Sequence, residues 1–311
     1  MNILVTGGAG FIGSHFVLRH REQHPDDTIV VIDRLTYAAD KAHLDPVMDS
    51  IAFIEGDIVD PQLIIDTITT HSIDTIINFA AETHVDKSIE NVQPFLHTNI
   101  LGVQSLIEVC KMHPHILLLH ISTDEVYGDC DDEEPPCTIT SPLKPSNPYA
   151  ATKASGDLLL LAAARTFGIR ARITRCTNNY GPHQDRTKLM PVIISRAMAG
   201  QPIPIYGEGK QKRDWLYVTD HTDAIELVLS KGEDGKIYLI SADDERENVV
   251  VAKTVLDAMG KPHDLIQFVE DRPGHDWRYA LDSSSVRVLG WEPQVMFEEG
   301  VQRMVQWFTA L

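Results

Sequence analysis

The sequence predicts an α/β fold in which a doubly wound parallel sheet of the Rossmann-like type carries a smaller C-terminal α/β lobe. Three observations predict it. Short, β-branched apolar runs alternate with helix-length stretches, a glycine-rich turn follows the first run, and prolines become frequent beyond about residue 178. Parallel strands need helix-sized connections and are buried on both faces, so such runs are typical of a covered parallel sheet.

The strands are expected at 3–6, 29–32, 51–54, 75–79, 116–121 and 170–174, with a further strand at 236–240 that returns to the sheet. Helical apolar spacing is expected at 150–166, 188–199 and 297–308. This order of strands and helices, with the frequent prolines beyond residue 178, predicts a first domain over 1–177, with a returning segment near 213–242, and a lobe formed mainly by 178–311.

Composition excludes several classes of partner. The formal charge of -18 over 311 residues repels polyanions, and no basic stripe is present, so we expect neither nucleic acid nor an anionic membrane as a partner. No apolar run approaches the roughly 18 residues of a membrane span, and the first residues lack the features of a signal peptide. A cytoplasmic protein is expected.

The cysteines and histidines predict neither disulfides nor a metal. Cys110, Cys130, Cys137 and Cys176 form no C-x-x-C pair and are expected to be free thiols. Among the histidines, the closest pair in sequence flanks Pro114 and is more typical of a solvated helix end than of a metal site.

A dinucleotide motif follows the first strand. Gly7, Gly10 and Gly13 fit both G-x-x-G-x-x-G and G-x-G-x-x-G, so the turn lets the backbone approach a pyrophosphate at the N-terminus of the next helix. Asp33 ends the second strand, where a carboxylate binds ribose hydroxyls and repels a 2'-phosphate. The motif predicts NAD rather than NADP, a preference that Arg34 could soften but not cancel.

Tyr149 and Lys153 are four residues apart and share one face of a helix. Nearby positive charge from the lysine and from an oxidised nicotinamide is expected to stabilise the phenolate, which makes the tyrosine a usable base near neutrality. The lysine can also hold the nicotinamide ribose. This pair suits the removal of hydride from a secondary alcohol.

A hydroxyl and two carboxyl groups follow the strand at 116–121. Thr123 could orient the reacting alcohol, and Asp124 and Glu125 could act as acid and base on neighbouring carbons if their environments separate their pKa values. A ketone next to such a pair can lose water. The sequence therefore predicts a dehydratase that carries out an internal redox reaction.

With these motifs, the chain resembles the extended short-chain dehydrogenase/reductase family, and within it the dTDP-glucose 4,6-dehydratases. The resemblance runs nearly end to end and rests further on residues 33–38, 80–86, 178–182, 213–215 and 271–276. It departs at Ala39 and Asp40, where Gly-Asn is common, and in the linker 129–147.

The resemblance implies that Tyr149, aided by Thr123 and Lys153, takes the proton of the sugar's C4 hydroxyl while hydride passes to NAD. Glu125 then removes the C5 proton, Asp124 protonates the departing C6 hydroxyl, and hydride returns to C6. The resemblance further implies that the first domain binds NAD, that the lobe binds the nucleotide-diphosphate sugar, and that helices 92–111 and 149–167 form a homodimer through a four-helix bundle.

The resemblance also implies binding residues beyond those named. For NAD they are Phe11, Ile12, Leu35, Thr36, Asp57, Ile58, Ala80, Ala81, Thr98 and Asn179. For the substrate they are Thr83, Asn178, Lys188, Leu189, Pro204, Tyr206, Arg213, Asn248, Arg272 and His275.

Three other interpretations stay open at this stage. A nucleotide-sugar 4-epimerase uses the same Tyr/Lys pair but needs no acid-base pair. A 4,6-dehydratase of UDP-N-acetylglucosamine or UDP-glucose would keep every reacting group. A non-enzymatic NAD-binding regulator would be expected to have lost some of them.

Overall fold

The computed structural model describes residues 1–271 and 275–310, and the strands and helices below are those of this part of the chain. The strands are β1 (Asn2–Thr6), β2 (Thr28–Asp33), β3 (Ala52–Glu55), β4 (Thr75–Asn78), β5 (Leu117–Thr123), β6 (Arg170–Cys176), β7 (Asn178–Tyr180), β8 (Ile203–Tyr206), β9 (Lys212–Tyr217), β10 (Ile237–Ile240), β11 (Glu245–Glu247) and β12 (Ile266–Val269).

The helices are α1 (Phe11–Gln23), α2 (Pro61–His71), α3 (Val85–Glu90), α4 (Gln93–Phe95), α5 (Val103–Met112), α6 (Pro148–Phe167), α7 (Leu189–Met198), α8 (Val218–Lys231), α9 (Asn248–Ala258), α10 (Ser284–Arg287) and α11 (Phe297–Thr309). A π-helical segment, Leu96–Gly102, joins α4 to α5. Short 3-10 helices lie at Lys41–Ser50, Asp124–Tyr127 and His263–Leu265.

The main sheet is parallel and has the order β10-β6-β5-β4-β1-β2-β3. The predicted doubly wound α/β fold is confirmed. The strand order reverses direction at β1 and β4, and in open α/β sheets a ligand crevice forms at the carboxyl ends of such strands. The glycine turn and the residues after β5 both lie at this edge.

The expected strands are present within one or two residues of their predicted bounds. The one difference that matters for the site is β5, which continues to Thr123 instead of ending at residue 121. All seven residues of β5 are buried, and the strand ends at the crevice. The residues that follow it therefore lie at the crevice.

The second half of the chain crosses between the sheet and the lobe. Strand β10 pairs with β6 and extends the main sheet, as expected for 236–240, whereas β9 pairs with β7 and β11 in a separate three-stranded sheet. The division into domains at 1–177 and 178–311, with a returning segment near 213–242, stays a prediction. Of that segment, β10 joins the main sheet and β9 does not.

Apolar side chains fill both faces of the main sheet and the interior of the lobe. Sheet alternation divides the strands' side chains between the two faces, so each face packs on its own set of helices. One face buries Val31, Phe16 and Ile225, and the other buries Leu4, Leu106 and Leu160. The lobe has its own core, formed by Ile193, Trp215, Val255, Phe297 and Met304.

A chain of buried polar groups crosses the main sheet beneath the crevice. Thr6 Oγ1 donates to Asn78 Oδ1 (2.7 Å), and Asn78 Nδ2 lies 2.9 Å from His120 Nδ1. His120 Nε2 lies 3.6 Å from one oxygen of Asp157, and Arg175 Nε donates to the other at 2.8 Å. These contacts tie β1, β4, β5 and β6 to α6, the helix that presents the Tyr/Lys pair.

Candidate active site

A cleft of about 300 Å³ opens at the carboxyl ends of the central strands. It brings together most of the residues that the sequence predicted for cofactor binding and catalysis, although they are spread over 180 positions of the chain. Those that line it are Gly7, Gly10, Phe11, Ile12, Gly13, Asp33, Arg34, Thr36, Asp57, Ile58, Ala80, Ala81, Thr83, Thr98, Thr123, Asp124, Glu125, Tyr149, Lys153, Asn178, Asn179 and Lys188.

The glycines of the turn are required by close backbone contact. Gly7 has a φ of +71°, and a Cβ at this position would lie 2.6 Å from the backbone nitrogen of Ala80. A Cβ on Gly13 would lie 2.3 Å from the carbonyl oxygen of Gly7. Gly10 precedes α1 and provides no capping side chain, so the first N–H groups of the helix face the cleft as an anion site.

Asp33 is held in place for a ribose. Its carboxylate accepts hydrogen bonds from the backbone N–H groups of Ala9 (2.9 Å) and Leu35 (2.8 Å), and burial raises its pKa. Arg34 donates instead to Asp57 at 2.8 Å. Because this cation already has an anionic partner, it offers little to a 2'-phosphate, which favours NAD. Leu35 lies beside the cleft without lining it.

The π-helical segment positions the opposite wall. It contains Thr98, which lines the cleft, and Asn99, which the sequence analysis did not single out. Asn99 exchanges hydrogen bonds of 2.9 and 3.0 Å with the backbone of Glu82 and donates to Thr152 on α6 at 3.0 Å. π-Helical turns are frequent at functional sites, and this one fixes the loop after β4 to the helix that carries Tyr149.

Thr123, Asp124 and Glu125 occupy the sharp turn where β5 ends. The Thr123 hydroxyl caps the following 3-10 helix by accepting from the Glu125 backbone N–H (3.3 Å) and donates to Asp124 Oδ1 at 3.1 Å. Asp124 Oδ2 is buried and has no hydrogen-bond partner in the described part of the chain. Asn147 Nδ2 donates to Glu125 Oε2 at 3.3 Å. Both carboxyl groups therefore face the cleft from one turn.

The two carboxyl groups have different electrostatic environments. Burial, and then the neighbouring Glu125, raise the pKa of Asp124 well above its usual value. Burial also raises the pKa of Glu125, but the Asn147 hydrogen bond and the charges of Lys188 and Arg213 oppose that shift. The pKa of Asp124 is thus raised further than that of Glu125, which suits Asp124 to donate a proton and Glu125 to accept one.

Tyr149 and Lys153 are both buried on the first turns of α6. Lys153 Nζ donates to the carbonyl oxygen of Ile121 at 2.7 Å, and burial lowers its pKa to about 8. Burial and Glu125 raise the pKa of Tyr149 well above 10, an effect that the Thr123 hydroxyl partly offsets. The protein's own residues therefore leave the phenol with a raised pKa, and the lowered pKa that the sequence predicted depends also on the positive charge of an oxidised nicotinamide.

The predicted nucleotide residues form a second group beside the cleft. Arg213 donates to the carbonyl oxygen of Asp276 at 2.8 Å, and the rings of Tyr206 and His275 are 6.0 Å apart. The buried Asn248 Oδ1 has no partner in the described residues. Those that do not line the cleft are Leu189, Pro204, Tyr206, Arg213, Asn248 and His275, and the predicted Arg272 lies outside the described residues.

Several cleft residues were missed by the sequence analysis. Glu82 lies within a run that it had identified and Ser122 just beyond one, whereas Cys176 ends β6 and Thr177 follows it at the same edge of the sheet. The signal that could have found them is position, since ligands bind at the carboxyl ends of the central parallel strands. Gln184, from the loop after β7, carried no such signal.

The fold and cleft define a class of protein before any comparison is made. Short-chain dehydrogenase/reductase enzymes typically have a Rossmann-type sheet, a glycine turn packed against the backbone that follows a neighbouring strand, and a buried Tyr/Lys pair. The adjacent carboxyl groups point to a member that also eliminates water.

Comparison with known proteins agrees. The chain matches the family model described as GDP-mannose 4,6 dehydratase over residues 4–304, and it belongs to this family. It is 46% identical to a dTDP-glucose 4,6-dehydratase from Streptomyces niveus, over 99% of this chain and 93% of the relative. The resemblance drawn from the sequence motifs is confirmed.

Solved structures show the same similarity. The dTDP-glucose 4,6-dehydratase DesIV from Streptomyces venezuelae, solved with NAD and dTDP bound, has a TM-score of 0.95 and 42% identity, covering 100% of this chain and 97% of that one. A UDP-glucose 4-epimerase from Thermus thermophilus, in complex with NAD, has a TM-score of 0.92 and 29% identity over 99% of each chain. Dehydratase and epimerase thus share the fold, and the site must distinguish them.

We expect Asp124→Asn to stabilise the folded protein. Because the folded-state pKa of Asp124 is raised, the stability present at low pH is lost as the carboxyl ionises with rising pH. The neutral amide keeps an acceptor for Thr123 and avoids that loss. The unfolding midpoint at pH 8 should rise by roughly 2 °C or more, and the difference should shrink toward pH 4.

The exposed Asp49 is a matched control, and Asp49→Asn should leave the midpoint unchanged at either pH. A midpoint for Asp124→Asn that equals or falls below that of the wild type at pH 8 would show that the carboxylate carries no burial penalty.

Proposed function

We propose that the protein converts dTDP-glucose to dTDP-4-keto-6-deoxyglucose and water, with NAD regenerated in each turnover. The observation that carries the proposal is that Asp124 and Glu125 line one cleft together with Tyr149 and the glycine turn. A nucleotide-sugar 4-epimerase has no use for two carboxyl groups of different protonation state. A non-catalytic NAD-binding regulator has no use for any of these reacting groups.

The residues present fit NAD. The glycine turn and the uncapped N-terminus of α1 would hold the pyrophosphate, Asp33 the adenosine ribose, and Lys153 the nicotinamide ribose. When bound, the oxidised nicotinamide supplies a hydride acceptor, a positive charge and, once reduced, the hydride for C6. The positive charge is what the buried Tyr149 needs, because the protein alone raises the pKa of the phenol.

Tyr149 and Thr123 act on the alcohol at C4. The phenol oxygen of Tyr149 takes the proton of the C4 hydroxyl. The Thr123 hydroxyl, which is fixed at the end of β5, orients the C4 oxygen that loses this proton. Lys153 is anchored on the Ile121 carbonyl one turn further along α6 and keeps its charge at neutral pH, since its pKa of about 8 lies above it. Together they favour the carbonyl at C4.

The carbonyl makes the C5 proton acidic, and the two carboxyl groups then complete the elimination. Glu125 removes the C5 proton, and its pKa, raised by burial, makes it a stronger base than a solvated glutamate. Asp124 keeps a proton for the C6 hydroxyl, which departs as water. Acid and base can serve neighbouring carbons because both line the same cleft. When C6 receives its hydride, Glu125 returns the proton to C5, which gives the saturated 4-keto-6-deoxy product.

The nucleotide half of the substrate is assigned to the group beside the cleft. Arg213 is a buried cation whose charge reaches Glu125, so it suits the diphosphate, while Tyr206, Asn248 and His275 suit the nucleoside. Lys188 donates to the Thr83 carbonyl oxygen at 3.1 Å and closes the wall nearest the sugar. Arg272 is assigned here from the sequence alone.

We expect purified protein to convert dTDP-glucose to a product lighter by one water, with no net release of NADH. Mass spectrometry of parallel incubations with dTDP-glucose, UDP-glucose, UDP-N-acetylglucosamine and GDP-mannose measures both the reaction and the base preference. The dTDP sugar should react fastest. An epimer of unchanged mass would contradict the dehydratase function, and faster loss of water from a UDP sugar would change only the nucleotide.

We also propose a homodimer formed through a four-helix bundle from residues 92–111 and 149–167. Large apolar side chains are exposed on or next to these helices: Leu101 is 53% accessible, Leu158 is 55% accessible, and Met112 and Phe167 are also exposed. Such side chains are what a helix-bundle interface would cover. No helix in residues 1–271 and 275–310 is long and apolar enough to cross a membrane. A cytoplasmic location stays a prediction.

Leu158→Glu should convert the dimer to a monomer, because two buried carboxylates would face each other across a two-fold interface. Light scattering coupled to size exclusion measures the mass. Val288→Glu is the control, since Val288 is 81% exposed on the C-terminal half and should leave the mass unchanged. A wild-type chain that is monomeric at high concentration would contradict the proposal.

A further inference from the structure

A cluster of metal-ligating side chains lies far from the cleft, between α1 and α8. His20 and His24 are four residues apart at the end of α1, and Glu226 approaches them from α8. His20 Nδ1 lies 2.7 Å from Glu226 Oε1, and His24 Nε2 lies 3.9 Å from Glu226 Oε2. One ligand atom from each residue falls within 4.8 Å of the other two.

We propose that His20, His24 and Glu226 bind a divalent transition metal, with Zn²⁺ the best fit. Two imidazoles and a carboxylate are a ligand set that Zn²⁺ uses, and bond lengths of about 2.0–2.2 Å place ligand atoms roughly 3.4 Å apart. The observed separations bracket that value, so small side-chain rotations close the site. A fourth position is left for water.

The surroundings of His20 prepare it for this role. Its Nε2 lies 3.2 Å from Asp27 Oδ2, so a proton on Nε2 is donated to that carboxylate. This leaves Nδ1, which faces Glu226, as the atom that can give its lone pair to a metal. A carboxylate that orients the far nitrogen of a ligating histidine is a regular feature of metal sites.

Burial and access also suit a bound ion. His20 is fully buried, whereas the side chain of His24 is 44% exposed and opens the site to solvent. A metal needs the lone pair of His20 Nδ1 and the ionised form of Glu226, so its binding weakens as the pH falls. Without a metal, the same contacts form a hydrogen-bonded ion network, and the experiment must distinguish these two states.

The site is independent of the proposed function. α1 begins at the glycine turn, and His20 lies nine residues further on, roughly 14 Å along the helix from its cofactor-binding end. A metal bound here would cross-link α1 to α8, and these two helices pack on the same face of the main sheet. It contributes to stability and takes no part in the reaction.

The test uses the full chain after treatment with a chelator. Zn²⁺ is titrated by calorimetry and by competition with a chromophoric chelator, and Co²⁺ absorption reports the coordination geometry. The wild type should bind one Zn²⁺ per chain and unfold at a higher temperature when saturated. His24→Gln and Glu226→Gln should each weaken binding at least tenfold, and Asp27→Asn by about 10- to 100-fold through His20.

His115→Gln removes an exposed histidine elsewhere and is the matched control, which should bind like the wild type. Because His24 is exposed, its replacement leaves the fold intact and keeps the result interpretable. Equal Zn²⁺ affinity in the wild type and in His24→Gln, or no stoichiometric binding by the wild type, would overturn the proposal. Turnover of dTDP-glucose is measured separately and should not depend on the chelator.

Discussion

The chemistry proposed for this chain depends on two adjacent carboxyl groups that line one cleft and whose pKa values are both raised. Asp124 and Glu125 stand at the end of a fully buried strand, and burial is the first cause of the raised pKa of each. Their difference comes from what surrounds them. Both groups have a hydrogen-bond donor and the charge of Arg213 nearby, but Lys188 also lowers the pKa of Glu125, whereas Glu125 and Asp214 raise that of Asp124. One turn therefore holds an acid beside a base.

The fold maintains this arrangement at some distance from the reacting atoms. Asp157 on α6 and Arg175 on β6 form a buried ion pair at 2.8 Å, which joins this helix to the main sheet. Breaking such a pair on one side costs about 3–5 kcal/mol, because it leaves a buried charge without a partner. Tyr149 and Lys153 are presented from this helix, and catalytic groups that must stay within a fraction of an ångström gain from rigid support.

Local patterns predicted much of the fold and the reacting groups. Three short motifs each predict a local structure from a few neighbouring residues: the glycine turn, the run that ends at Asp33, and the spacing of Tyr149 and Lys153. In the same way, the β-branched runs predict the strands of the parallel sheet. Contacts between distant segments left no such pattern. No sequence pattern near Asn99 indicates that this side chain hydrogen-bonds to the loop after β4. Likewise, His20 and His24 form a candidate metal site only because the fold places Glu226 beside them. The raised pKa of Tyr149 likewise follows from burial, which only the folded structure supplies.

The most direct test of the central claim separates oxidation from elimination in Glu125→Gln. With dTDP-glucose in D₂O, the variant should accumulate the absorbance of reduced nicotinamide, because C4 is oxidised but no acceptor remains for hydride at C6. Exchange of the C5 hydrogen should fall far below the wild-type rate, while the solvated Glu134→Gln should behave as the wild type. Exchange at C5 that continues at the wild-type rate would contradict the account, since some other group would then be the base.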